Sequence, residues 1–152
     1  MTTLITNNAD CFNDLAQLFD AYRVFYRKTS DLSGAKAFLE ERIKNKESVI
    51  YVSCDQNKTV TGFVQLYPLF SSTQMKRMWL LNDLFVATAQ RGKGFSKELI
   101  NAAKNHCKTS GYCGLMLETE KNNTVANKLY EVTNFELDTL HNFYYWDVTS
   151  NA

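Results

Sequence analysis

The sequence predicts an α/β fold in which a mixed, mostly antiparallel central sheet carries about four helices. Three observations predict it. Residues 48–86 hold three strand-like runs separated by turn residues, the pattern of an antiparallel meander. The last run ends in Leu80-Leu81-Asn82-Asp83-Leu84-Phe85-Val86. A glycine-bearing turn, a helix to about residue 109 and a second apolar run, 114–118, then follow. Strand, crossover helix and a second strand apolar at consecutive positions form a βαβ unit, right-handed by default, with a parallel strand pair. The remaining helices come from periodic apolar residues before the meander and after the unit.

Taking the elements in order, residues 3–6 read as a short strand and Asn7-Asn8 as a turn or cap. Phe12, Leu15, Phe19, Tyr22 and Phe25 or Tyr26 recur at three-to-four spacing, which makes 9–27 an amphipathic helix. Asp31 or Ser33 caps the next helix, whose stripe is Phe38, Leu39 and Ile43 and which runs to about residue 46. Residues 48–54 and 59–69 form a hairpin. Pro68 cannot donate to a ladder, so the second of these strands should end or bulge near it. The next strand runs over 75–86. Gly111 closes the crossover helix as a C-terminal glycine. Val125, Leu129 and Val132 give a fourth helix, and Asn134 after it is a residue that tolerates the left-handed conformation. Residues 143–148 alternate well enough for a last strand.

At 152 residues and 45% hydrophobic content, the whole chain, 1–152, is expected to be one domain. A net charge of +1 without a basic run argues against nucleic acid as a partner. No apolar run is long enough to span a bilayer. Cys11, Cys54, Cys107 and Cys113 lack CxxC spacing and read as reduced thiols of a cytoplasmic protein. His106 and His141 are far apart in sequence, so no metal site is expected.

The chemistry-bearing stretch is the turn Arg91-Gly92-Lys93-Gly94-Phe95-Ser96. A strand, a glycine turn and a helix N-terminus bring free N–H groups and the positive end of the helix dipole to one place. Glycine lets a phosphate approach the backbone closely. The ligand expected there carries a phosphate or pyrophosphate. The dinucleotide fingerprint lacks its third glycine here, and a P-loop Gly-Lys-Ser/Thr is absent.

The turn resembles the Arg/Gln-x-x-Gly-x-Gly/Ala signature of the GCN5-related N-acetyltransferase superfamily, with Ser96 in the last place. Asn123, Ala126, Leu129 and Tyr130 are similar to the same superfamily's Asn-x-x-Ala-x-x-Leu-Tyr segment. The runs 62–68 and 79–86 look like a subgroup containing small-amine and histone-type acetyltransferases. The resemblance implies the acyl-CoA N-acyltransferase fold, in which the two parallel strands splay apart and two helices cover the acceptor site. It implies acetyl-CoA as co-substrate. Its pyrophosphate would lie on residues 91–96, and its pantetheine arm would lie against the backbone of Leu84, Phe85 and Val86, with Asn123 hydrogen-bonded to that arm. Tyr130 would hold its hydroxyl near the sulfur, as the proton donor to the leaving thiolate.

Asp83, two residues before Phe85, either takes the proton of the attacking amine, directly or through water, or only anchors a charged substrate. Tyr22 and Tyr26 could line the acceptor pocket together with Asn82. Glu118, at the tip of the neighbouring strand, and Asp31 are secondary acidic groups for it. The expected acceptor is a small primary amine, a polyamine or an amino acid. The alternatives are a protein or peptide lysine and a non-catalytic CoA-binding domain. A small kinase would need a Mg²⁺-ligand pattern that the sequence lacks. An uncovered aromatic edge at 143–146 would favour a homodimer.

Overall fold

Five strands pair in the order β1-β2-β3-β4-β5. They are β1 (Thr2–Leu4), β2 (Val49–Cys54), β3 (Val60–Ser71), β4 (Lys76–Val86) and β5 (Leu115–Met116). The first four are antiparallel to their neighbours, and β5 runs parallel to β4. Four helices complete the order: α1 (Phe12–Phe25), α2 (Leu32–Lys44), α3 (Phe95–Thr109) and α4 (Thr124–Val132). The computed structural model describes residues 1–4 and 10–149. Ile5 and Thr6 of the expected first strand, and Asn7-Asn8 of its turn, lie outside the described residues. The chain divides into two compact units, Met1–Glu118 and Thr119–Ala152.

In the first unit, Leu15, Ala16, Phe19, Ala35 and Leu39 of α1 and α2 meet Ile50, Val52, Phe63 and Phe85 on one face of the sheet. Leu99, Ile100 and Ala103 of α3 are fully buried on the other face. Each buried Leu, Ile or Phe side chain contributes about 1.5–3 kcal/mol by leaving water. Alternation along β2 sorts the two faces: Ile50 and Val52 join the α1–α2 core, while Tyr51 reaches α3, its hydroxyl 3.1 Å from the His106 Nδ1. At Gly62 of β3, a Cβ would stand 2.7 Å from the Phe85 carbonyl oxygen and 3.1 Å from Leu99. Only glycine allows β3, β4 and α3 to approach this closely.

One irregularity decides where the polar residues of β4 point. Gln65 pairs with Asp83 and Leu66 with Leu81, so Asn82 is an extra residue on β4, a bulge. Before it, Trp79 faces α3 and packs beside His106. After it, Phe85 faces α1 and packs beside Tyr22 and Phe25. A regular strand would keep residues 79, 81, 83 and 85 on one face; the bulge moves Asp83 and Phe85 to the α1 side.

Three expectations are corrected. β3 does not end at Pro68 but runs on to Ser71, because β2 stops opposite Leu66 and asks for no N–H from Pro68; the irregularity near it, at Gln65/Leu66, puts its extra residue on β4. The second parallel strand is two residues long rather than five, since only Leu115 and Met116 find partners on β4. Residues 143–148 form no strand: they make no ladder, and Phe143, Tyr144, Tyr145 and Trp146 are largely exposed. Alternation gives a strand only where another strand accepts the pairing.

In the second unit, α4 is capped by Asn123, whose Oδ1 accepts the Ala126 N–H at 3.1 Å. Asn134 follows the helix at φ 61°, as its position predicts, and the Phe135 N–H returns to the Tyr130 carbonyl at 2.9 Å.

Candidate active site

Asp83 is 4% exposed, and three donors converge on its carboxylate. Gln65 Nε2 donates to Oδ2 at 2.7 Å, Asn82 Nδ2 donates to Oδ1 at 3.0 Å, and the Tyr22 hydroxyl approaches the same carboxylate and favours its charged form. Burial raises the Asp83 pKa above the ordinary carboxylate range, and the three hydrogen bonds oppose that rise. Burial and the Asp83 charge also push the Tyr22 hydroxyl far above the usual tyrosine range. Tyr67 of β3 is raised for the same two reasons, with Arg42 acting against them. The Gln65 Oε1 is buried without a hydrogen-bond partner among the described residues, an acceptor held beside the carboxylate.

Tyr22 connects this cluster to open space. A cleft of about 490 Å³ between α1 and α2 is lined by Phe19, Tyr22, Tyr26, Phe38 and Ala35, with Arg23, Lys28, Asp31 and Gly34 at its polar parts. Asp83 does not line it. The Tyr22 ring is held edge-on by Tyr26, Phe63 and Phe85 at 5.0–5.8 Å. Asp31 is occupied as the N-cap of α2, its Oδ1 accepting the Gly34 N–H at 2.8 Å.

At the far end of β4 the chain turns through Thr88–Gln90 into α3. Gly92 and Gly94 have φ 77° and 89°, the left-handed region that glycine adopts without strain, and nothing lies within 4 Å of where their Cβ atoms would be. The first helical bonds run from the Lys97 and Glu98 N–H groups to the Gly94 carbonyl. Among the described residues, the N–H groups of Gly92, Lys93, Gly94, Phe95 and Ser96 have no intramolecular acceptor. Lys93 lies over the same turn, its Nζ 2.8 Å from the Gln90 Oε1. Arg91 is differently placed: its Nε donates to the Val86 carbonyl at 3.2 Å, and its guanidinium sits over Phe25 and Phe85. It ties the turn to β4 and α1.

β5 stops opposite Leu80, and β4 continues six residues beyond that point. Leu84, Phe85 and Val86 therefore have β3 on one side and no strand on the β5 side among the described residues. A ladder edge left open beside a glycine turn with free N–H groups fits an extended, amide-containing chain that ends in phosphate.

The structure thus brings together Tyr22, Tyr26, Asn82, Asp83 and Phe85, and separately assembles the 91–96 turn. Glu118 is exposed beyond the end of β5 and takes no part in the Asp83 hydrogen bonds. Asn123, Ala126 and Tyr130 belong to the second unit, where the Tyr130 ring packs edge-on against Phe135 at 5.7 Å. His106 is a packed residue between Tyr51 and Trp79. Sequence reading gave no role to Gln65 or Tyr67. Their signal was two polar groups in a mostly apolar strand, Gln65 lying opposite Asp83, the only acid of β4, and Tyr67 two residues further on, opposite Leu80.

Comparison with known proteins agrees with this geometry. The chain is 49% identical over 125 residues to an uncharacterized N-acetyltransferase, YhfO, of Bacillus subtilis, covering 82% of this chain and 83% of that one. It is 36% identical over 91 residues to a probable acetyltransferase of Haemophilus influenzae, covering 60% and 62% of the two chains. The crystal structure of a probable acetyltransferase superposes with a TM-score of 0.91 at 35% identity, over 98% of both chains. Residues 15–135 match the acetyltransferase (GNAT) family as a whole, a span that holds the Asp83 cluster, the glycine turn and Tyr130. On that match and these relatives, the chain belongs to the GNAT acetyltransferase family.

Proposed function

We propose that the protein transfers the acetyl group of acetyl-CoA to a small primary amine by direct attack. The observation that carries the reading is the Asp83 cluster, a buried carboxylate with a raised pKa joined by Tyr22 to an aromatic cleft. An alkylammonium with a pKa near 10.4 has no lone pair to offer at neutral pH, so the site must take a proton. A carboxylate with a raised pKa is better matched to that task than an exposed one.

Acetyl-CoA fits the residues present. The N–H groups of residues 92–96 and Lys93 would hold its pyrophosphate, the open edge at Leu84–Val86 would pair with its amide-bearing arm, and Asn123 and Ala126 would contact that arm from α4. Bound there, it supplies the activated thioester carbonyl. Asp83 accepts the proton of the amine, and Tyr130 gives its hydroxyl proton to the leaving sulfur. Tyr22, Tyr26 and Phe38 form apolar walls around the acceptor's alkyl portion. A place in the small-amine or histone-type subgroup, a cytoplasmic location and homodimerisation through the exposed residues 143–146 belong to the same reading; light scattering showing a monomer at working concentration overturns the last.

A panel assay with acetyl-CoA tests the function by release of free CoA, comparing polyamines, amino acids and lysine-containing peptides. Small amines are expected to lead in kcat/KM. Peptides leading by more than tenfold would replace this reading with protein acetylation, and no turnover with any amine would leave a CoA-binding domain.

A further inference from the structure

The reading above assigns Asp83 the proton of the amine, yet Asp83 is 4% exposed and does not line the cleft. A substrate seated between α1 and α2 meets Tyr22 first. Tyr22 lines the cleft, packs against Phe85 two residues from Asp83, and turns its hydroxyl toward the Asp83 carboxylate on the inner side. We propose that the Tyr22 hydroxyl is the proton relay between an amine in the α1–α2 cleft and the Asp83 carboxylate.

In the step, the N–H bond of the ammonium breaks and its proton forms a new O–H bond on Tyr22. The original Tyr22 O–H bond breaks at the same time, and that proton forms an O–H bond on Asp83. The nitrogen keeps its electron pair for attack. The positive charge of the amine and the negative charge of Asp83 are both neutralised, and Tyr22 ends as it began. Asp83 returns its proton to solvent when product leaves. The two transfers are concerted, because burial and the adjacent carboxylate make a free tyrosinate costly at this position.

The surroundings suit a fixed relay. Phe63, Phe85 and Tyr26 hold the Tyr22 ring, while Gln65 and Asn82 hold both Asp83 oxygens. The other titratable groups facing the pair are Tyr67 from β3 and Tyr26 from α1. Arg42 of α2 lies beside Tyr67, and Arg23, Lys28 and Asp31 lie in the cleft. Among these, Tyr67, raised by burial and by Asp83, carries no charge at neutral pH, and Asp31 caps α2.

The inference rests on Asp83 being the base, so Tyr22→Phe and Asp83→Asn are measured together. Phenylalanine keeps the ring and its contacts, and thermal melting verifies the fold. At pH 7, Tyr22→Phe is expected to lose about 10²-fold in kcat/KM for the amine. The defect should shrink as pH approaches the amine's own pKa, near 10, where solvent supplies neutral amine. A packing defect would be the same at every pH. In the substrate-free protein, Tyr22→Phe removes a donor to Asp83, so the carboxyl resonance of Asp83 should titrate at higher pH than in the wild type. The wild-type proton inventory in mixed H₂O and D₂O should be curved, as two protons moving together require.

A pH-independent loss, an unmoved Asp83 titration or a linear inventory overturns the relay. If Asp83→Asn is inactive in that case, the base assignment stands without it. If Asp83→Asn is fully active, the base assignment and the relay fall together.

Discussion

Gln65 and Asp83 face each other across β3 and β4, and Gln65 Nε2 donates to Asp83 Oδ2 over 2.7 Å in a site where both side chains are buried. The pair exists because Asn82 is a bulge; without it, Asp83 would lie on the α3 face with Leu81. The Asp83 pKa is raised, so the folded protein retains a proton that the unfolded chain has lost. The sign follows: Asp83 makes stability fall as pH rises from the unfolded value near 3.8 through the folded value, and the cost is fully present above it. Asp83→Asn removes that buried charge, and an amide flip at Gln65 would let its unpartnered Oε1 accept from the new side chain. The variant is expected to melt at a higher temperature than wild type at pH 7.5, with the difference vanishing by about pH 4. Turnover is expected to drop by roughly 10²–10⁴-fold. Melting curves across pH, paired with the amine assay, measure both effects, and a variant less stable at pH 7.5 contradicts the burial argument.

The proposed role of the 91–96 turn in binding phosphate can be tested at Gly94. Its φ of 89° costs a side-chain-bearing residue about 1–2 kcal/mol, and the space before it is open. Gly94→Val should therefore leave the fold intact, lower its stability by about that amount, and obstruct the approach of pyrophosphate. Calorimetry is expected to show acetyl-CoA affinity reduced more than tenfold. Unchanged affinity would remove the turn from the binding site.

Tyr130→Phe separates chemistry from packing on α4. The ring contact with Phe135 survives the change, so the fold and acetyl-CoA affinity should be retained. If the hydroxyl protonates the thiolate, turnover falls by about 10²–10⁴-fold. The measurement requires conditions in which chemistry limits the rate, and wild-type turnover there would leave Tyr130 a packing role.

How legible these features were in the sequence depends on their range. The glycine turn is local: two residues near φ 80–90° followed by a helix can be read from six letters. So could the cap at Asn123 and the left-handed Asn134. The bulge at Asn82 could not, because it is a property of two strands in register, and the Gln65–Asp83 pair depends on it. Nor could the extent of β5 or the absence of a strand at 143–148, since pairing depends on whether a partner edge is present. The contacts of Arg91 with the Val86 carbonyl and two phenylalanine rings were illegible for a related reason, since they join the turn to β4 and α1.

The charge of the cleft narrows the acceptor. Sequence reading weighed Asp31 and Glu118 with Asp83 as attractions for a cationic substrate. Asp31 lines the cleft but caps α2, and Glu118 is exposed beyond β5. Of the two cations at the cleft, Arg23 bonds Asp20 at 3.2 Å, whereas Lys28 has no ion pair among the described residues. The Asp31 carboxylate is engaged by the α2 N-terminus, so the Lys28 ammonium is the charge at this cleft left to meet a substrate, and it repels a polyamine and attracts an amine that carries a carboxylate. Amino acids are therefore expected to exceed spermidine in kcat/KM, and their carboxamides to lose several-fold through KM with kcat retained. An exposed charge pair is worth about 0.2–1 kcal/mol, which sets the scale of that loss at about 1.4- to fivefold. Lys28→Glu should reverse the order of spermidine and amino acid while leaving acetyl-CoA KM unchanged. An order unaffected by Lys28→Glu would mean that the acceptor does not reach this end of the cleft, and the choice of amine would then be made at Tyr22 and Asp83 alone.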